Sequence, residues 1–131
     1  MSMEPKPAPL SKAWLWTGWI ITILPAVALI FSAAVKFVGP EGMLKEFDRL
    51  GYKSHHATPL GIVELVCTII YLIPQTSVLG AILLTGYLGG ATATHVRIGD
   101  QFISPIIMGV LIWLGLFLRE PRLRAILPWR S

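Results

Sequence analysis

Charged side chains are scarce in this sequence of 131 residues, and cysteine occurs once. Asp, Glu, Lys and Arg make up 14% of the residues, whereas soluble domains carry about 25%. A single cysteine, Cys67, cannot form an intrachain disulfide and leaves no CxxC pair, so a thiol–disulfide relay within this chain is excluded. No basic and aromatic stripe runs along the chain, which argues against nucleic-acid binding. The lack of charge points to a membrane.

What the sequence has instead is long apolar runs. The first, Ala13–Val35, carries no charge and is long enough, at about 1.5 Å per residue, to cross a hydrocarbon core of roughly 30 Å. It is too long for the apolar region of a signal peptide, which has about 7–15 residues. Three further runs are Pro59–Ile73, Ser77–Val96 and Phe102–Leu118, of which Pro59–Ile73 is short for a span. We predict an all-α integral membrane four-helix bundle over residues 13–118. Three spans with one re-entrant segment are the alternative.

The polar segments outside these runs have distinct characters. Residues 1–12 are rich in proline and predict a disordered N-terminal tail, and residues 119–131 form a basic C-terminal tail. Between the first two runs, Met43, Leu44, Phe47 and Leu50 recur at helical spacing with charged residues between them. This pattern predicts a short amphipathic helix along the membrane surface, ending at Gly51.

Two local signals mark the start of the second run. Thr58 suits an N-cap and Pro59 the first helical turn.

Four spans place both termini on one side of the membrane, which then holds six of the eleven Lys and Arg residues, a weak bias. The arginine-dense C-terminal tail and the charge-free turn before Ser77 favour cytoplasmic termini. The prediction is a multi-pass protein of the bacterial cytoplasmic (inner) membrane.

Four polar residues fall near the same end of the predicted bundle. Glu64 lies within the second run, and Lys36, His95 and Arg97 stand at the ends of the first and third runs. Ionisable groups at membrane depth are costly and usually face the bundle interior in pairs. We therefore predict that Glu64 is buried and paired with at least one of Lys36, His95 or Arg97. The cluster is either a polar network that fixes helix register or the wall of a ligand pocket; a proton or ion path is a third interpretation.

Small residues in the third run predict close helix packing. Gly86 and Gly90 are four residues apart, as are Gly89 and Ala93, and this spacing lets backbones approach in lipid. We predict that Gly86 and Gly90 contact a neighbouring helix, within the chain or in a homodimer.

Other kinds of site are not indicated. His55, His56 and His95 with Glu64 could in principle ligate zinc, but adjacent loop histidines fix no geometry, and we predict no metal site. A bis-histidine haem needs two histidines in facing helices, and no Ser–His–Asp or Cys–His arrangement can be placed. Catalytic residues and cofactors are left unidentified.

Several segments resemble the DoxX-like membrane proteins. They are "FSAAVKF", "LGYKS", "LGIVELVCTIIYLIP" and "GAILLTGYLGGATATHVRIGD", and the resemblance covers roughly Ser32–Asp100. It implies a small four-helix bacterial membrane protein. The family is named after a subunit of an archaeal quinol-oxidising complex, but function lives in sites rather than folds.

Two functional hypotheses follow. In the first, the protein is an oxidoreductase-associated subunit that binds a quinone or lipid-like ligand in a polar pocket near one membrane face. In the second, it is a non-enzymatic helper or scaffold that packs in the bilayer against a larger membrane protein or a second copy of itself. Whether it is an enzyme stays open at this stage.

Overall fold

The computed structural model describes residues 12–126, and this part of the chain is built from α-helices joined by short turns. The helices are α1 (Lys12–Val38), α2 (Glu41–Arg49), α3 (Ala57–Leu72), α4 (Ser77–Arg97), α5 (Ile103–Arg119) and α6 (Pro121–Arg124). Short 3-10 turns, Ser54–His56 and Pro74–Thr76, precede α3 and α4. The predicted N-terminal tail lies outside the described residues apart from Lys12, which begins α1. The basic C-terminal segment is described up to residue 126.

Four of the helices pack in a ring. α1 contacts both α3 and α5, α4 lies between α3 and α5 on the opposite side, and each helix therefore has two neighbours. The side chains of Leu29, Tyr71, Leu84, Ile112 and Leu116 fill the centre of the ring and are almost completely buried. This arrangement places the predicted loop helix, α2, across one end of the ring.

The outer surface of the ring is apolar and several polar side chains are inside. Large exposed apolar side chains cover α1, α3, α4 and α5, among them Leu24, Phe31, Ile69, Ile82 and Val110. The buried polar side chains are those of Thr22, Glu64, Thr68, Ser77, Thr94 and Arg119. α1 and the segment Pro74–Arg97 are long and apolar enough to cross a membrane, whereas α3 and α5 are shorter apolar helices. Such a surface is suited to lipid.

The glycines that make close helix contacts are not the ones predicted. A Cβ atom at Gly86, Gly89 or Gly90 would meet nothing within 4 Å, so the prediction that Gly86 and Gly90 contact another helix of this chain is wrong. The reason is helix rotation, because the buried stripe of α4 runs through residues 77, 80, 81, 84 and 88 and leaves these glycines at its side. The homodimer contact stays a prediction.

Other glycines take the packing role. A Cβ atom at Gly80 would lie 2.3 Å from the Cα of Tyr71, and one at Gly115 would lie 2.6 Å from Thr22 Oγ1. A Cβ atom at Gly18 would lie 2.9 Å from the Cβ of Arg119. These positions join α4 to α3 and α5 to α1 at backbone distance.

The loop helix α2 confirms the sequence prediction in its position and its amphipathic character. Phe47 is buried, as is Leu50 just after the helix, while the charged side chains of α2 point outward. Gly51 ends the segment with φ 90°, a left-handed conformation that favours glycine. The prediction for the start of α3 is wrong in one respect: the helix begins at Ala57 with His56 at the N-cap, so Thr58 lies inside the first turn.

Candidate functional site

The inward face of α3 carries the central residue of the site. Glu64, Thr68 and Tyr71 follow one another at i, i+4 and i+7, which places them on one side of the helix. Each is almost completely buried, Glu64 with 1% of its surface exposed. A carboxyl group at this depth needs partners, since burial without them strongly disfavours its charged form.

Glu64 finds those partners on α1 and α4. The Lys36 ammonium lies 3.1 Å from Glu64 Oε2, and the hydroxyl of Tyr87 donates to the same oxygen at 2.5 Å. Ser32 contacts Oε2 at 3.4 Å and also accepts from Lys36 Nζ at 2.7 Å. Glu64 Oε1 has no hydrogen-bond partner within residues 12–126. Three helices are therefore joined at one carboxylate oxygen.

A small residue one turn before Glu64 makes the ion pair possible. A Cβ atom at Gly61 would lie 3.1 Å from the Cβ of Lys36 and 3.2 Å from the carbonyl oxygen of Ala33. The backbones of α1 and α3 consequently approach closely at this level, and the Lys36 side chain reaches across to Glu64.

A cavity of about 330 Å³ lies directly beside this network, beneath α2. Its polar wall includes Lys36, Tyr52, Tyr87 and His95, and its apolar wall includes Phe47, Leu50, Leu60, Gly86 and Gly90. Glu64 does not line the cavity, but it accepts hydrogen bonds from two residues that do, Lys36 and Tyr87. Gly86 and Gly90 leave open space here instead of packing against a helix.

Among the three predicted partners of Glu64, the structure selects Lys36. His95 lies in the cavity wall, but its Nδ1 is 3.1 Å from Asp100 Oδ2. Arg97 is exposed and donates to the carbonyl oxygen of Leu50 at 2.8 Å, so it does not bind Glu64 and is not itself part of the cavity wall. The structure thus brings Lys36, Glu64 and His95 to one site and leaves Arg97 at its edge.

Two tyrosines of the site were missed by sequence reasoning. Tyr87 donates to Glu64, and the Tyr52 hydroxyl lies 2.9 Å from Thr94 Oγ1. A signal was available for Tyr87, because a phenolic hydroxyl within an apolar run requires a hydrogen-bond partner when it is buried; Tyr52 lies in the polar segment and gives no such signal.

α2 is fastened to the loop between α4 and α5 over the mouth of the cavity. Arg49 donates to Asp100 Oδ2 at 2.7 Å and also binds Glu46 on its own helix. The hydrogen bond from Arg49 is the main cause that lowers the pKa of Asp100 from 3.8 to about 2, and the backbone of Gln101 and the side chain of His95 add to it. Asp100 is therefore ionised at neutral pH, and its ion pair with Arg49 holds α2 against this loop.

Acid should release this contact. A carboxyl group with a lowered pKa in the folded protein adds stability above its unfolded pKa, here 3.8, and that stability is lost as the pH falls towards about 2. We expect the protection factors of the α2 amides, which are corrected for the intrinsic pH dependence of exchange, to fall several-fold between pH 5 and pH 2, and Asp100→Asn to lower them already at neutral pH. Asp48→Asn, on the exposed side of α2, is the matched control and should keep the slow exchange. Equal rates in the two variants would contradict the contact.

A second, larger cavity lacks the chemistry of the first. It is an apolar groove of about 630 Å³ between α4 and α5, with Leu88, Gly89, Ile106, Gly109 and Phe117 among its lining residues. No titratable side chain lines it, and its polar contact is the bond from Trp113 Nε1 to Thr85 Oγ1 at 2.7 Å. Within residues 12–126 no three His, Cys, Asp or Glu side chains group together as metal ligands would. The candidate site is therefore the cavity beneath α2.

Comparison with known proteins gives one match. The model of the DoxX-like family matches residues 20–117, which include α3 and α4, most of α1 and α5, and all the residues that line the cavity beneath α2. No curated protein and no solved structure matches this chain.

Proposed function

The chain belongs to the DoxX-like family, and on this premise we propose that it is a four-span membrane protein that binds a quinone or lipid-like ligand beneath α2. The family indicates a small membrane protein, in agreement with the two long apolar helices. Four spans require α3 and α5 to cross as well, and their apolar outer surfaces support this proposal.

The proposal rests mainly on one observation, which is that the cavity has a polar wall on one side and an apolar wall on the other. Lys36 uses two of its three N–H donors on Ser32 and Glu64, which leaves one for a ligand oxygen. The opposite wall, with Phe47, Leu50 and Leu60, is apolar. Such a site suits a molecule with a hydrogen-bond-accepting head and an apolar body, and about 330 Å³ is within the range of small-molecule pockets.

Glu64 has a positioning role in this proposal. Its carboxylate balances the charge of Lys36 and fixes the ammonium and the Tyr87 hydroxyl at the cavity wall. Because these donors are held before the ligand arrives, less conformational entropy is lost on binding. His95 and Tyr52 lie in the same wall and are further groups that a ligand head can contact.

A quinone as the ligand would connect this protein to an oxidation–reduction reaction. A quinone exchanges electrons and protons, and histidine and tyrosine are suitable proton donors and acceptors beside it. We propose that the chain supplies a quinone-binding site to an oxidoreductase whose redox centres lie on another subunit.

The alternative function, a helper or scaffold, is favoured by the groove between α4 and α5. This groove is open, apolar and lined by Gly89 and Gly109, so an apolar helix of a larger membrane protein or of a second copy can approach its floor closely. The two functions use opposite sides of α4, which makes them separable by mutation.

Filling the cavity beneath α2 tests the ligand proposal. A Cβ atom at Gly90 would meet nothing within 4 Å, and Gly90 lines the cavity, so Gly90→Leu should place its side chain in the cavity with an unchanged melting temperature in detergent. Binding of a short-chain quinone, measured by fluorescence quenching, should weaken at least about tenfold, and lipid or quinone that co-purifies should be lost from mass spectra.

Gly89→Leu is the matched control, because Gly89 is adjacent, equally open and part of the other groove. It should keep quinone binding and instead reduce co-purification of a membrane partner if the scaffold function holds. Full quinone binding in Gly90→Leu would rule out the cavity beneath α2 as the site.

Membrane topology is testable separately. We propose cytoplasmic termini in a bacterial inner membrane, on the strength of the basic C-terminal tail. Reporter fusions after Pro74 and after Ser131 should both report cytoplasm, and a fusion after Gly51 should report the periplasm. Opposite locations for the fusions after Pro74 and Ser131 would refute four spans.

A further inference from the structure

The end of the ring opposite the α2 cavity contains a buried arginine. Arg119 is the last residue of α5 and is 9% exposed. Its Nε donates to Thr22 Oγ1 at 3.0 Å and its Nη1 to Ser77 Oγ at 3.3 Å. The guanidinium lies over the ring of Trp19 at 4.4 Å from the ring centre. Hydroxyls and an aromatic face thus surround a full positive charge.

This charge has no carboxylate partner in the part of the chain that the structure describes. The nearest acidic residue along the chain, Glu120, accepts from the backbone N–H of Arg122 and caps α6. Arg119 Nη2 is buried without a hydrogen-bond partner. A guanidinium keeps its proton at any physiological pH, so Arg119 stays positively charged although it is buried.

A second arginine repeats the pattern one turn farther out. Arg124 lies over the ring of Trp14 at 5.2 Å, and its Nε is buried and also without a partner. Trp14 precedes Gly18, the residue that touches Arg119, by one helical turn, or about 6 Å of rise along α1. A cavity of about 240 Å³ lined by Ala13, Trp14, Thr17 and Leu118 lies at the same end, next to the two arginines but not lined by them. Both guanidiniums therefore keep one buried nitrogen without a partner among residues 12–126, and Arg124, the outer of the two, is partly exposed.

We propose that Arg119 and Arg124 bind a phosphate oxyanion, the headgroup phosphate of an anionic phospholipid. Planar guanidinium forks match the geometry of phosphate oxygens, and the positive end of the α1 dipole adds to the attraction. Tryptophans at the end of a span mark the depth of lipid headgroups, where phosphodiesters are the abundant oxyanions. This site lies at the other end of the ring from the quinone or lipid-like ligand and is independent of it.

The test measures the melting temperature of the full chain in a neutral detergent with three additions. These are dioleoylphosphatidylglycerol, dioleoylphosphatidylcholine and inorganic phosphate. The proposal expects stabilisation by phosphatidylglycerol well above that by phosphatidylcholine. Stabilisation by inorganic phosphate at millimolar concentration would support the oxyanion site with free phosphate as its source. No response to either phosphatidylglycerol or phosphate would overturn the proposal.

Variants separate a built site from general surface charge. Arg124→Gln should lower the affinity for phosphatidylglycerol about tenfold, as lipid adducts in native mass spectra report, because one charge-assisted bond is lost. Arg122→Gln removes the same charge from an exposed position of the same short helix and should leave the affinity unchanged. Equal losses in the two variants would overturn the proposal. Arg124→Lys keeps the charge but not the planar guanidinium. Its affinity for phosphatidylglycerol should lie between those of Arg124→Gln and the native protein.

Discussion

Replacing Glu64 with alanine will destabilise the protein by about 3–5 kcal/mol, the usual cost of breaking a buried ion pair by removing one partner. The variant leaves the ammonium of Lys36, whose side chain is only 13% exposed, beside a pocket without an opposite charge. It also removes the acceptor of the Tyr87 hydroxyl. The free energy of unfolding in mixed micelles, followed by circular dichroism, measures the loss.

The exposed pair on α2 provides the control. Lys45 and Glu41 are 3.5 Å apart with side chains 76% and 85% exposed, so Glu41→Ala should cost less than about 1 kcal/mol. Adding Lys36→Met to Glu64→Ala should recover part of the loss, because the unpaired charge is then gone as well. If Glu64→Ala were as mild as Glu41→Ala, the ion pair would not be buried in the folded protein.

Glu64→Gln distinguishes a positioning role from a purely structural one. The amide keeps the size of the side chain and can still accept from Tyr87, but it no longer balances the charge of Lys36. A folded Gln variant that loses quinone binding supports the positioning role. A folded variant that binds normally would mean that the carboxylate serves only to hold the three helices together.

The second large effect is expected at Gly80, where alanine should cost at least about 3 kcal/mol, the upper end of overpacking penalties. The added Cβ atom would lie 2.3 Å from both the Cα and the amide nitrogen of Tyr71. Backbone atoms cannot rotate away as a side-chain end can, so α3 and α4 must separate. The melting temperature in detergent should fall sharply, and the Tyr71 hydroxyl should lose its 2.6 Å bond to the carbonyl oxygen of Ile112.

Gly86→Ala is the matched substitution on the same helix. Its Cβ atom meets nothing within 4 Å, and alanine stabilises a helix interior by about 0.5–1 kcal/mol relative to glycine. We therefore expect an equal or higher melting temperature. A destabilised Gly86→Ala protein would indicate that this glycine packs against another molecule, as the homodimer prediction requires.

The helices α1 to α5 could be predicted because their signals are local, whereas the short α6 falls in the segment predicted as a basic tail. The length of each apolar run and the spacing of Met43, Leu44, Phe47 and Leu50 depend on nearby residues alone. The burial of Glu64 also followed from local information, since a lone acid in an apolar run must face the interior. The structure agrees with each of these expectations.

Contacts between helices could not be predicted in the same way. Lys36, His95 and Arg97 all stand at the correct end of the ring, and only the rotation of each helix about its axis decides which one reaches Glu64. The same rotation turns Gly86 and Gly90 towards a cavity and Gly80 towards Tyr71. Rotation is set by the fit of all neighbouring side chains, which no single spacing in the sequence records.

The contact between the first and last helices of the ring bears on how the protein is made. Gly18 and Thr22 of α1 fit against Gly115 and Arg119 of α5, so the first helix of the ring to be synthesised is completed by the last. Until residue 119 has been translated, Thr22 of α1 lacks the arginine that donates to its hydroxyl. A nascent chain arrested before α5 should therefore leave this buried polar contact unmade for as long as the arrest lasts.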